Sequence, residues 1–303
     1  LSRGAKRWLP YALIGAALVV ELVVHVVPVL LGIWFAFTGL DRATIGDWTG
    51  APFVGLQNFR TGLDPVGPIG AAFWATLART ALFTIIVVPV AWSIGVVVAW
   101  LMATPFRGRG LLRVLFLVPF AVPGFAAAIG WSFMFGRDHG AVNRLLVDDL
   151  GVLSDRPFWL IGDHAFWVVA IVWIWNAWPL AYLMSSAAMS AIPADVHDAS
   201  VLDGASRWRQ LWSISRPICR PVDAVVILVL SLGAFNEFGI PFVLFGPRPP
   251  ESATLLAGLV YGNSFANAEF GVGAAMNLLV ATLLVAGVLT YARTAMPRGS
   301  GRA

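Results

Sequence analysis

One cysteine and one lysine in 303 residues, with only 12% of the chain charged, set the first limits on this protein. Cys219, being alone, makes no internal disulfide and no thiolate metal cluster. So few charges, set against 59% hydrophobic residues and a mean hydropathy of +0.81, exclude an ordinary soluble domain. No Gly-x-x-x-x-Gly-Lys-Ser/Thr run occurs, so a Walker-type nucleotide site is absent from the sequence. No paired acid and base or nucleophile constellation points to an enzyme, and there is no internal repeat or low-complexity tract. The apolar stretches are continuous rather than alternating ten-residue segments, which sets aside a transmembrane barrel. The net charge of +4 calls for no nucleic-acid partner, because the placement of the basic residues follows membrane topology.

What is present is a series of long apolar runs. About 20 such residues cross the hydrocarbon layer, and backbone groups in lipid must be bonded within their own segment, so the runs read as helices. Six are expected, at roughly 10–37, 71–103, 111–135, 164–191, 222–245 and 271–293. The fold class is therefore all-α, a polytopic transmembrane helical bundle forming a single domain over 1–303. Arg3, Lys6 and Arg7 precede the first run as in a secretory signal. That run, however, carries Glu21, continues to Phe37 and is followed by no small-residue cleavage site, so it reads as a retained span.

Thirteen basic residues fall on one side of this arrangement: 3, 6, 7, 107, 109, 113, 207, 209, 216, 220, 293, 298 and 302. Six fall on the other: Arg42, Arg60, Arg137, Arg144, Arg156 and Arg248. The positive-inside rule makes the richer side cytoplasmic and places both termini there. Arg79 lies inside a span, where it either snorkels to the outer headgroups or pairs with an acid of a partner subunit.

Between the fourth and fifth runs lies a polar island, 193–221, which the same charge count puts in the cytoplasm. Pro193 suits the first turn of a helix over 194–202, and Gly204 permits a sharp break. Ser206 can cap a second short helix in which Trp208, Leu211 and Trp212 share a face, with Pro217 as its stop. On pattern alone such a helix could lie on the membrane surface.

The run Asp198-Ala199-Ser200-Val201-Leu202-Asp203-Gly204-Ala205, followed by Pro217, resembles the EAA loop of bacterial ATP-binding-cassette (ABC) importer permeases of the carbohydrate-uptake type. Asp203, Gly204 and Ala205 match that pattern, Asp198 stands in place of its Glu with an arm one methylene shorter, and Ser200 replaces its second Ala. Phe53-Val-Gly-Leu-Gln-Asn-Phe59 is similar to the segment after the first span of sugar-type permeases. The resemblance implies a coupling element docked on an ATPase subunit, with Asp198, Ala199, Asp203, Gly204, Ala205, Trp208 and Leu211 as the contact set. It implies further partners: a second permease subunit, two ABC ATPase subunits that carry ATP and magnesium, and an extracytoplasmic solute-binding protein. The chain itself would carry no cofactor and would sit in the bacterial inner membrane.

A transported sugar needs aromatic faces for its C–H surfaces and amide or carboxylate groups for its hydroxyls. Helix interruptions near mid-membrane are where transporters place such groups. The fourth run offers Asn176, Trp178 and Tyr182 around Pro179, and the fifth offers Asn236 and Glu237 before Pro241. Tryptophans such as Trp173 and Trp175 equally serve as interfacial anchors, and an Asn within a span equally joins helices. An ionisable residue within a span, Glu237, is a functional candidate by default.

Two other readings remain beside sugar import. Glycerol-3-phosphate or glycerophosphodiester uptake would use the same architecture. A proton-coupled secondary transporter would use Glu21, His25 and Glu237, the first two being one turn apart on a single helix face. Their bland alternative is a mutually satisfied pair facing neighbouring helices.

Overall fold

The computed structural model describes residue 11 and residues 14–295; the terminal basic residues Arg3, Lys6, Arg7, Arg298 and Arg302 lie outside them. Within that range the chain is helical, and the only extended pairing is an isolated antiparallel bridge between Thr38 and Phe53. Five helical stretches are long and apolar enough to cross a membrane: α1 (Ile14–Ala36), α3 (Pro68–Leu101), α6 (His164–Ser190), Arg207–Phe245 and Phe270–Thr294. Shorter helices are α2 (Gln57–Leu63) and α7 (Ala194–Leu202).

The run 111–135, expected as one continuous span, is instead a bent pair. Helices α4 (Arg109–Ala121) and α5 (Gly124–Met134) meet at 95°; taken as one broken span, the third in chain order, they bring the number to six. The break has a local cause. Pro123 has no amide hydrogen and pushes the residue before it out of the helical region, and Val122 is extended at φ −80°, ψ 122°.

The fifth crossing also differs from expectation. Pro217 does not stop a helix. A π-helical stretch, Gln210–Ser215, leads directly into α8 (Arg216–Phe235), so Pro217 sits in the first turn of the new α-helix, where a missing N–H is tolerated. Helix α8 then ends at Phe235, and the chain resumes as α9 (Gly239–Phe245). Helices α10 (Leu256–Tyr261) and α11 (Phe270–Ala295) complete the chain.

By contact the described residues divide into two compact units, those up to residue 74 with 260–283 and those of 75–259 with the residues from 284 onward. In the second unit the core is built on α6. Val168, Val172 and Trp173 are buried together with Phe83 and Val87 of α3 and with Val226 and Leu230 of α8. Phe83 meets Phe166 and Trp173 edge-on, at ring centroid separations of 5.9 and 6.2 Å. Trp173 is thus a core residue, not an interfacial anchor. Gly95 of α3 faces α6 so closely that a Cβ there would lie 2.6 Å from the Tyr182 amide nitrogen. Small residues at such crossings let two helix backbones approach where lipid supplies no hydrophobic driving force.

In the first unit the Phe53–Phe59 segment folds back on the end of α1. Asn58 donates to the carbonyls of Ala36 and Thr38 at 3.0 and 2.8 Å, and Phe59 packs on Phe37. The backbone adds Gly39 N–H to Pro52 and Val54 N–H to Phe37. The apolar window of α1 is wholly unburied within the chain. Glu21 and His25 pair at 3.1 Å with both side chains about two-thirds exposed (63% and 66%), so no helix among the described residues covers them.

Candidate functional site: the turn after α7 and the broken spans

Two features organise the functional residues, the solvent-facing turn after α6 and the interruptions of the third and fifth spans. The turn comes first. Helix α7 begins after Pro193 and closes with Asp203 N–H on the Ala199 carbonyl and Ala205 N–H on Ser200, both at 3.0 Å. The second bond needs the chain to reverse its hand, and Gly204 does so at φ +69°, a region that L side chains enter at a cost. The Ser206 hydroxyl then caps the next turn by accepting from Arg209 N–H at 3.3 Å. Asp198, Ala199, Leu202, Asp203 and Gly204 are exposed, Leu202 at 88%, and Ala205 is half-buried.

The expected common face of Trp208, Leu211 and Trp212 splits. Leu211 is completely buried, whereas Trp208 and Trp212 remain exposed at 55% and 43%. The π-helical stretch over Gln210–Ser215 is the physical reason, because an i→i+5 winding shifts each following side chain off the 3.6-residue register. Trp208 packs edge-on against Trp100 at the end of α3, at 5.8 Å, and against Trp212 at 5.6 Å. Arg207 lies over the Trp100 ring and hydrogen-bonds the Thr104 hydroxyl. The segment is therefore tied to α3 by an aromatic and cationic cluster.

The residues of the fourth and fifth spans fall into two groups. Asn176 of α6 donates to the carbonyls of Pro119 and Val122 at 2.8 and 3.2 Å, which supplies donors to the backbone at the α4–α5 break. Trp178 and Tyr182 both contact Phe116 of α4, at 5.6 and 6.1 Å, with Trp178 half-buried and Tyr182 buried. The second group sits at the α8–α9 break. Asn236 is exposed and donates to the Leu232 carbonyl at 2.9 Å; Glu237 Oε1 accepts from Ile240 N–H at 2.8 Å, satisfying a first-turn amide of α9. Helix α9 packs on both α5 and α6, so the interrupted ends of two spans share one neighbourhood.

Arg79 finds its partner in its own chain: Glu251 at 3.1 Å and the Thr254 carbonyl at 3.1 Å. A further ionic site was not singled out from sequence. Arg216 and Asp223 face each other at 3.5 Å with side-chain exposures of 17% and 8%, and Trp92 donates to Asp223 at 3.1 Å. The Arg216 guanidinium also lies 4.1 Å from the Trp92 ring centroid. The signal was available, since Asp223 stands at the start of an apolar run and an acid there needs a partner. The partner, Arg216, lies seven residues before Asp223, about two turns of helix, and so outside that run.

Comparison with known proteins agrees with this architecture. The family described as binding-protein-dependent transport system inner membrane component matches residues 91–295. The trehalose/maltose transport system permease protein MalF of Thermococcus litoralis is 29% identical, over 93% of this chain and 92% of its own. The trehalose transport system permease protein SugA of Mycobacterium tuberculosis is 28% identical, over 92% and 86%. A probable ABC transporter permease protein of Brucella abortus is 30% identical, over 95% and 96%. Among solved structures, a bacterial ABC transporter involved in the import of the acidic polysaccharide alginate superposes with a TM-score of 0.82 over 97% of both chains, at 19% identity. Bacterial alginate ABC transporter in complex with alginate pentasaccharide-bound periplasmic protein gives 0.78 over 97% and 96%, at 20% identity. With more than half its length matched, the chain belongs to the family of binding-protein-dependent transport system inner membrane components and is a membrane-spanning ABC permease.

Proposed function

We propose that this chain is a single transmembrane domain forming half of the translocation pathway of an ATP-driven importer for a sugar or oligosaccharide. The observation that carries the reading is the exposed α7–Gly204 turn between two spans, in a chain whose full-length relatives are named as trehalose and maltose permeases. An exposed turn bearing Asp198, Val201, Leu202 and Asp203 offers charge and apolar side chains to a groove in a partner, as a docking element requires. Asp198, Ala199, Asp203, Gly204, Ala205 and Trp208 make the ATPase contact, and buried Leu211 holds the segment onto the spans.

Charge placement puts this turn, and both termini, on the cytoplasmic side. Two ATPase subunits dock there, a second permease completes the pathway, and a solute-binding protein delivers substrate outside. Asn236, Glu237 and Trp178 face the pathway, with Asn176 and Tyr182 setting the break beside them. The test is uptake by vesicles containing the whole complex, with ATP held inside and the proton gradient collapsed by an ionophore. Sustained uptake that requires the binding protein supports the reading; uptake that follows the proton gradient at constant ATP overturns it in favour of a proton-coupled carrier.

A further inference from the structure

Where α4 begins, the protein carries a cationic cavity of about 260 Å³ that the transport reading leaves unused. Its wall comes from the ends of α3 and α6, the first turns of α4 and the first turn of α7. Arg109 and Arg113, one turn apart on α4, line it together with His197 of α7, and Met102 and Met189 supply apolar surface. No carboxylate is among the described residues lining it. Arg109 Nε is shielded from solvent and makes no hydrogen bond, a donor left without an acceptor. A planar guanidinium so placed, with a second one turn away, matches the oxygens of a phosphate.

The other face of α4 says where that phosphate comes from. Leu111, Val114, Leu115 and Val118 fall at i, i+3, i+4 and i+7 and are all exposed, Leu111 and Val114 by 66% and 64%. One short helix thus shows arginines to the cavity at its basic end and a continuous apolar stripe to its surroundings, the pattern of a span entering the bilayer at headgroup level. We propose that the cavity binds the headgroup of an anionic phospholipid, its acyl chain lying along the apolar stripe of α4, and that the headgroup bridges α4 to the first turn of α7. The lipid phosphate would answer the orphaned Arg109 donor. It would also tie the α7 segment to the membrane surface through His197.

The experiment uses the complete transporter in nanodiscs of phosphatidylcholine alone or of phosphatidylcholine with phosphatidylglycerol, with retained lipid read by native mass spectrometry. Phosphatidylglycerol should stay bound in wild type, and Arg109→Gln with Arg113→Gln should lower its retention roughly tenfold or more, the loss expected when charge-assisted bonds to phosphate are removed. If the double variant does not assemble, Arg113→Gln alone serves, because Arg113 is exposed; it should lower retention severalfold. Retention equal to wild type in an assembled variant overturns the proposal. Inorganic phosphate added to the phosphatidylcholine discs should leave thermal stability unchanged; if it stabilises the complex as much as phosphatidylglycerol does, the site takes a free anion and the lipid assignment fails. Loss of the ATPase subunits from Arg113→Gln with lipid retention unchanged would instead assign the cavity to a protein contact.

Discussion

Arg216 and Asp223 form a buried ion pair seven residues apart on one helix, with the carboxylate held on its other side by the Trp92 indole N–H at 3.1 Å. Trp92 belongs to α3, so its indole joins the pair on α8 to that helix, with the Arg216 guanidinium lying over its ring. Arg216 Nε and Nη1 and Asp223 Oδ2 are shielded from solvent and make no hydrogen bond, so the two charges meet as an ion pair only. Breaking such a pair costs more than the pair contributes, because one buried charge is left without compensation.

Arg216→Met and Asp223→Leu singly should therefore each destabilise the complex by about 3–5 kcal/mol, while the double variant should recover most of the loss. Thermal unfolding of all four proteins closes the double-mutant cycle. Additive losses would show that the two residues act independently.

Asn176 holds two carbonyls at the break between α4 and α5. Asn176→Leu keeps the volume and removes both donors. It should cost about 1–3 kcal/mol for each carbonyl left without a partner. Asn176→Asp should not rescue stability, because an ionised carboxylate only accepts hydrogen bonds. Thermal unfolding of the two variants is the measurement.

Gly204 closes α7 at φ +69° with open space around its Cα. Steric clash is therefore not what selects glycine here; the backbone angle is. Gly204→Ala should cost about 1–2 kcal/mol in the turn, and Gly204→Val more, since β-branching narrows the allowed angles further. Membrane insertion should be normal in both. Co-purification of ATPase subunits, or the ratio of hydrolysis to uptake, should fall in the order Gly, Ala, Val; equal coupling in all three would remove α7 from the docking role.

Glu237 and Asn236 can be separated by chemistry. Glu237→Gln keeps an oxygen for the Ile240 amide, and Glu237→Ala does not. If Glu237 only shapes the α8–α9 break, Gln should restore uptake to near the wild-type rate and Ala should not. If its charge faces the pathway, both should transport slowly. Asn236→Ala, at an exposed position, should leave stability within about 0.5 kcal/mol of wild type and still lower uptake. Uptake assays paired with thermal unfolding distinguish these outcomes.

Much of this protein was legible from local chemistry. Apolar runs longer than the bilayer is thick leave helices as the only economical answer, so α1, α3, α6 and α11 follow from composition alone. The cap at Ser206, the start after Pro193 and the reversal at Gly204 are also local, each set by one side chain or its absence. Proline was read less well, because its effect depends on where in a turn it falls. Pro123 bends the third span by 95°, whereas Pro179 lies inside an unbroken α6 and Pro217 inside the first turn of α8. Only packing decided which neighbour each polar residue would meet. Asn176 turned to the α4–α5 break, Arg79 to Glu251, and Arg216 to Asp223 and Trp92. A sequence states how many donors and charges must be satisfied in the membrane. Which of them meet depends on helix crossings set by small residues such as Gly95 and by the π-turn that rotates Leu211 into the core, and those are properties of the assembled fold.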